Sequence, residues 1–210
     1  MKLYTFPVAP NPTRVRLYLA EKRQAGAEFE IEEVSVSLPD KEHRSAAHRA
    51  RNPLARLPVL EIAEGQYLTE SAAIIEYLEE LLPEPVMIGA TAHDRARTRE
   101  LDRIIDLGIL LTIGGIVHAT KSPLGFPPNP EAAANARAAL SPNLALVEER
   151  LSDGRPFLMG SQPSIADCTL AAALQFGRLF GFEMPETHEA IARWDGNFRE
   201  RVSAKQVLVG

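Results

Sequence analysis

Leu57-Pro58-Val59-Leu60-Glu61-Ile62-Ala63-Glu64-Gly65-Gln66-Tyr67-Leu68-Thr69-Glu70-Ser71 decides the fold of this chain. Leu57-Pro58 leads into a short apolar run, Val59 to Ile62, with strand composition. Ala63-Glu64-Gly65 makes a turn, and Gly65 supplies the permissive backbone of a tight hairpin. Gln66-Tyr67-Leu68 returns as a second strand. Thr69-Glu70-Ser71 then opens a helix with the apolar stripe Ile74, Ile75, Leu78, Leu81 and Leu82. Pro58 removes a ladder donor where the strand begins. It reads as an ordinary strand-entry proline or as a cis-proline that turns the Leu57 backbone toward a ligand. Ser71 reads as a plain helix cap or, with Glu70, as part of a helix N-terminus that holds a carboxylate.

Toward the N-terminus, Lys2 to Phe6 is a first strand, ended by the stiff turn Pro7-Val8-Ala9-Pro10-Asn11-Pro12. Asn11 then Pro12 reads as an N-cap followed by a proline at the first helical position. The helix runs to about Arg23, and Gly26 stops it. Phe29 to Val36 has strand chemistry, so strand, helix and strand form a βαβ unit with parallel strands. Residues 37–56 are basic and irregular, with one helical turn near Ser45–Ala50.

Toward the C-terminus, Pro83-Glu84-Pro85 ends the helix after Ser71, and 83–91 reads as a linker. Beyond it the pattern is helical only. A long helix covers about 92–120, and Ser122 to Pro130 is a proline-rich loop. Asn129-Pro130 starts a helix to about Leu151, in which Pro142 predicts a kink or break. Ser164-Ile165-Ala166-Asp167 is a capping box that opens an apolar helix to about Phe180. One or two more helices cover Pro185–Val202. The expected division is 1–82 for the α/β unit, 83–91 for the linker and 92–210 for the all-helical unit.

Composition sets outer limits. The chain has 210 residues, 45% hydrophobic and 24% charged, with a net charge of −5. That balance argues against broad nucleic-acid or anionic-membrane binding. The first residues hold no signal-like apolar stretch, and no run reaches the roughly 18 apolar residues of a membrane span. A single cysteine, Cys168, excludes an internal disulfide and any CxxC pair. Among Ile165, Leu170 and Ala171 it reads as buried packing. A cytoplasmic protein is expected.

Leu57-Pro58-Val-Leu, the hairpin and Thr69-Glu70-Ser71-Ala-Ala-Ile-Ile-Glu-Tyr-Leu together resemble the glutathione-binding core of the cytosolic glutathione S-transferases. The layout is similar to that family over nearly the whole chain: an α/β N-terminal thioredoxin-like domain, βαβ-ββα with a four-stranded mixed sheet, then an all-α C-terminal domain. The opening Lys-Leu-Tyr-Thr-Phe-Pro-Val-Ala-Pro-Asn-Pro-Thr-Arg-Val-Arg resembles most the branch of the atypical second yeast enzyme and its bacterial relatives. The resemblance implies a cis Pro58, Leu57 pairing its backbone with the cysteinyl part of glutathione, and Glu70-Ser71 holding the γ-glutamyl end. His43 and Arg56 fall nearest to the glycyl carboxylate. Glutathione is the implied co-substrate, with no metal, and a homodimer is the implied assembly.

The resemblance breaks at the thiol-activating position. The tyrosine-class position falls on Thr5 and the serine- or cysteine-class position on Ala9, which donates nothing from its side chain. Tyr4 belongs to the opposite strand face. Three candidates remain. Asn11 can accept with its oxygen and donate to sulfur with its amide. Thr13 carries a hydroxyl in the first turn, where it also fits a solvated threonine. His118 can act directly or through water, or simply favour the negative end of its helix. The yeast-like branch pairs a serine with a histidine on this helix, and the serine position falls on or near Gly114. Gly114-Gly115 reads as close helix packing or as room for an electrophile. The basic stretch His43, Arg44, His48, Arg49, Arg51 and Arg56 otherwise reads as a solvated face. The expected function is conjugation of the glutathione thiolate to small hydrophobic electrophiles, with peroxide reduction as a side activity. The alternative is a non-catalytic binding or interaction module of the same fold. The intact Leu57-Pro58 and Glu70-Ser71 set favours the enzyme, and Ala9 favours the alternative.

Overall fold

The computed structural model describes residues 1–209. Its N-terminal part is a mixed four-stranded sheet: β1 (Lys2–Thr5), β2 (Glu32–Ser35), β3 (Val59–Ala63) and β4 (Gln66–Thr69) in the order β2-β1-β3-β4. β1 and β2 are parallel, with Leu3 opposite Glu33. β3 runs antiparallel to both β1 and β4, placing Leu60 between Leu3 and Leu68. Gly65 sits at φ 72° in the hairpin, a conformation that favours glycine. The second strand is shorter than expected from Phe29–Val36. β2 is an edge strand, and its ladder can be no longer than the four residues of β1.

Helices α1 (Pro10–Gln24), α2 (Ala46–Arg51) and α3 (Ser71–Leu81) cover the sheet, and the rest is helical. These are α4 (Ala92–Ile105), α5 (Leu111–Thr120), α6 (Pro130–Leu151), α7 (Ile165–Leu179), α8 (Glu189–Arg199) and α9 (Val202–Val207). α1 packs on α7 and α9 as well as on α3, so one apolar core runs through both parts.

Several local expectations change. α1 begins at Pro10, not after an Asn11 cap; its N-cap is Ala9, which offers no side-chain bond. α6 passes Pro142 unbroken. Ala138, whose carbonyl loses its helical donor there, lies on the exposed side, where water can replace the bond. The linker is held firmly: Lys22, fully buried, donates to Leu82 O (2.5 Å) and Pro85 O (2.6 Å) and pairs with Glu79 (2.7 Å). The long helix is α4 and α5 joined by a π turn, Asp106–Leu110. Asn143 of α6 approaches Gly108 so closely that a Cβ there would collide with it. A window of 92–120 has the length and mean hydropathy (1.4) of a membrane span. Here its apolar residues Ile105, Ile109, Ile113, Ile116 and Val117 lie in the core, and the helix packs on α6 and α7.

The Ser164–Asp167 box opens α7 as expected, with more partners than a simple cap. The buried Asp167 carboxylate accepts from Ser164 N (2.8 Å), Ser164 Oγ (2.7 Å), Leu158 N (2.9 Å) and Trp194 Nε1 (3.1 Å). Cys168 is buried, and burial pushes its thiol well above the ordinary range, as packing rather than nucleophilic duty requires.

Candidate active site

A cleft of about 620 Å³ opens between the start of α1, the 38–57 segment and α5. Its wall includes five of the residues singled out from the sequence: Asn11, His43, Arg56, Leu57 and His118. Pro58 is buried behind Leu57, and the Leu57–Pro58 peptide is cis. Glu70 and Ser71 lie off this wall, joined to it through Asn11. Thr13 is also off it: 1% exposed, its hydroxyl donates to Pro7 O (3.1 Å) and Ala9 O (2.8 Å), closing the turn into α1.

The loop before Pro58 is built by two buried side chains. Asn52 Nδ2 donates to Arg56 O (3.1 Å), and His48 Nε2 lies 3.0 Å from the same oxygen. Asn52 Oδ1 accepts from Leu54 N, and Ala55 takes a left-handed φ of 55°. The result presents Arg56 and Leu57 to the cleft. The Leu57 N–H and C=O lie beyond the end of the β3 ladder and have no partner among the described residues. The Arg56 guanidinium is exposed and makes no ion pair among the described residues. The basic stretch is therefore not a single solvated face, since His43 and His48 are buried. Burial, and then the Arg44 charge, push the His43 pKa down, so this residue meets a ligand as a neutral imidazole. Of the two groups expected at a glycyl carboxylate, the cation is Arg56.

At the other end, Glu70 precedes α3 with φ 66° and ψ 116°, a rare conformation for a residue with a side chain. Its carboxylate is exposed and unpaired among the described residues. No side chain caps α3, so the first N–H groups of the helix are available to an anion. The Ser71 hydroxyl is already committed: Oγ accepts from Arg14 Nε (2.8 Å) and donates to Asn11 Oδ1 (3.0 Å). What Ser71 can offer a ligand is its main-chain N–H. Asn11 was expected to spend its oxygen on capping. It accepts from Ser71 instead, and its amide group has no partner among the described residues and can donate toward the cleft. α1 starts Pro-Asn-Pro, so among its first three residues only Asn11 has an N–H, and this N–H is unpaired among the described residues.

His118 Nδ1 lies 3.0 Å from Ser122 Oγ, which also accepts from Leu124 N (3.2 Å). The serine partner of this histidine is thus one turn after it, not at Gly114 before it. The ring meets Phe126 edge-on at 5.6 Å and Phe176 at 6.2 Å, and burial pushes its pKa down. Leu110, Leu111, Leu124 and the bare Gly114-Gly115 backbone complete an apolar half. Thr5 is buried and off the wall, and Tyr4 donates to Glu61 (2.8 Å) on the opposite face of the sheet. Arg14, Asn52, Ser122 and Phe176 are the participants that the sequence reading missed.

A βαβ-ββα unit, a cis-proline loop and a Glu-Ser helix start beside a helical unit define a glutathione-transferase fold. The sequence families described as glutathione S-transferase N-terminal domain and C-terminal domain match residues 3–86 and 130–196. The chain belongs to the glutathione S-transferase family. Glutathione S-transferase 2 of Saccharomyces cerevisiae is 28% identical over 99% of this chain and 89% of its own length. The crystal structure of Gtt2 from the same organism superposes with a TM-score of 0.87, covering 99% of this chain and all of that one. Maleylacetoacetate isomerase of Pseudomonas aeruginosa is 30% identical over 86% of this chain and 83% of its own.

Proposed function

We propose that this chain is a glutathione transferase that joins the glutathione thiolate to small, uncharged electrophiles. One observation carries the reading: a single cleft places the unpaired Leu57 main chain, Arg56 and Asn11 beside an apolar wall from α5 and α7. In this reading Leu57 pairs with the cysteinyl backbone and Arg56 holds the glycyl carboxylate. The γ-glutamyl end lies at the start of α3, its ammonium on Glu70 and its carboxylate on the free helix N–H groups. The sulfur then lies near Asn11, whose N–H and amide donate to the thiolate. The hydroxyl proton of Ser122, turned to Nδ1 of His118, leaves the proton on Nε2 and makes it a second donor. The thiol gives its proton to water; the sulfur lone pair forms the new C–S bond as the leaving group departs with its own pair. The same thiolate would attack a peroxide oxygen: the S–O bond forms as the O–O bond breaks, and the alkoxide leaves and takes a proton from water. A second glutathione thiol converts the resulting sulfenic acid to glutathione disulfide and water.

The isomerase named among the relatives acts on a substrate with two carboxylates. The cleft wall here offers one guanidinium and two histidines with lowered pKa. Glutathione occupies the guanidinium in this reading, which leaves no cation for a dianionic second substrate. The test is retention on immobilised glutathione, then parallel assays with 1-chloro-2,4-dinitrobenzene and with maleylacetoacetate. Conjugation without cis–trans isomerisation is expected. Isomerisation faster than conjugation would replace this reading with the isomerase. Binding with neither reaction would leave a non-catalytic module.

A further inference from the structure

Glycine within a helix is costly. Gly108 and Gly177 have steric reasons inside the chain, whereas Gly196 of α8, away from the cleft, has none. A Cβ at Gly108 would collide with Asn143, and one at Gly177 would lie 3.0 Å from Ile113 Cγ2 and Phe182 Cδ1. Gly114 and Gly115 have none. A Cβ built on either meets nothing within 4 Å, and neither has the positive φ that favours glycine. Yet they stand side by side in the ten-residue α5, where alanine would strengthen the helix. Both line the cleft, on the wall shared with His118, Leu111 and Phe176. The space that their missing side chains leave is part of that cleft.

We propose that Gly114 and Gly115 determine which second substrates enter: their bare backbone is the floor on which a flat aromatic electrophile lies, flanked by the rings of His118 and Phe176. The inference rests on the transferase reading above. A methyl group added at either position would lift a ring off the helix and away from the thiolate, while a compact electrophile would still fit. The glycines thus give up helix stability for the width of the cleft, a trade between stability and activity.

The experiment compares Gly114→Ala and Gly115→Ala with the parent protein, using 1-chloro-2,4-dinitrobenzene as the flat electrophile and iodomethane as the compact one. Alanine favours the helix, so each variant should melt about 2–4 °C higher. The ratio of kcat/KM for the flat to the compact substrate should fall about tenfold or more in each. Calorimetry should show weaker binding of S-(2,4-dinitrophenyl)glutathione with glutathione affinity unchanged. Higher Tm with an unchanged ratio would overturn the proposal while leaving the transferase reading intact. A lower Tm, or a loss of self-association by light scattering, would also overturn it, because the glycines would then serve packing or a second copy. If the parent conjugates neither electrophile, the transferase reading fails and this inference with it.

Discussion

Asn11→Ala should raise the thiol pKa of bound glutathione. The size follows from the donors at the start of α1. Pro10 and Pro12 have no N–H, so the usual cluster of free donors at a helix start is reduced to that of Asn11. The variant keeps this main-chain donor and loses the side-chain amide. A neutral hydrogen bond is worth about 0.5–1.5 kcal/mol, which is roughly 0.4–1.1 pKa units at 1.36 kcal/mol per unit. A free thiol has a pKa of about 8.5, so the two Asn11 donors and the neutral His118 Nε2, each modest, leave the bound thiol incompletely ionised near neutrality. The parent rate should therefore still climb between about pH 7 and 8, and Asn11→Ala should move that climb upward. Asn11→Asp should be worse than Asn11→Ala. Its carboxylate can still accept from Ser71, but its second oxygen would face the sulfur with like charge. The pKa is read from ultraviolet thiolate absorbance of the binary complex. A rise with His118→Ala and none with Asn11→Ala would refute the reasoning and move activation to the His118–Ser122 pair.

Glu70→Ala should weaken glutathione binding about ten- to a hundredfold by calorimetry, since a charge-assisted bond is worth about 1.5–3 kcal/mol; unchanged affinity in a folded variant would remove Glu70 from the site. Asp167→Ala should destabilise by about 3 kcal/mol or more, beyond the 0.5–2 kcal/mol of a simple cap, because the Leu158 and Trp194 N–H groups would be left buried without an acceptor. Denaturant unfolding measures this, and glutathione affinity should not change at permissive temperature. The 23.1 kDa chain should scatter light as a homodimer at micromolar concentration, and a strict monomer would contradict the assembly that the family resemblance implies.

The parts of this molecule that were legible in the sequence depend on neighbours a few residues apart. Gly65 marks the hairpin, and Ser164 with Asp167 marks the start of α7, because turn and cap chemistry act over two to four residues. The four-stranded mixed sheet followed from such units and the family resemblance. What stayed hidden is contact over long sequence distance. Nothing local to Arg14 shows that it will donate to Ser71, fifty-seven residues away, or that Asn11 will turn from its own helix to Ser71. Pro142 misled because the rule concerns the bond that proline removes, whereas the outcome depends on whether water can reach the orphaned carbonyl. The His118–Ser122 pair is only four residues apart, across the end of α5, and could have been found. It was missed because the resemblance directed attention to the preceding turn.

These long-range contacts also show why the helical part is more than a wall for the second substrate. Arg14 is 2% exposed, a poor place for a cation unless other groups compensate it. It lies behind Ser71, and its Nη1 stands 3.2 Å from Asp106 Oδ1 without forming an in-line hydrogen bond. Asp106 belongs to the π turn between α4 and α5, and it also pairs with Arg103. The cation behind the start of α3 is thus balanced by a carboxylate from the helical part. The polar chain runs on from Arg14 through Ser71 to Asn11, from the γ-glutamyl end of the cleft to its thiol end. In the proposed reading, the γ-glutamyl and thiol positions of glutathione are therefore joined by one connected set of side chains anchored in both parts of the protein. On that reading, Ala9 can be silent at the family's usual thiol-activating position because Asn11, fixed by this set, would present a donor two residues further on.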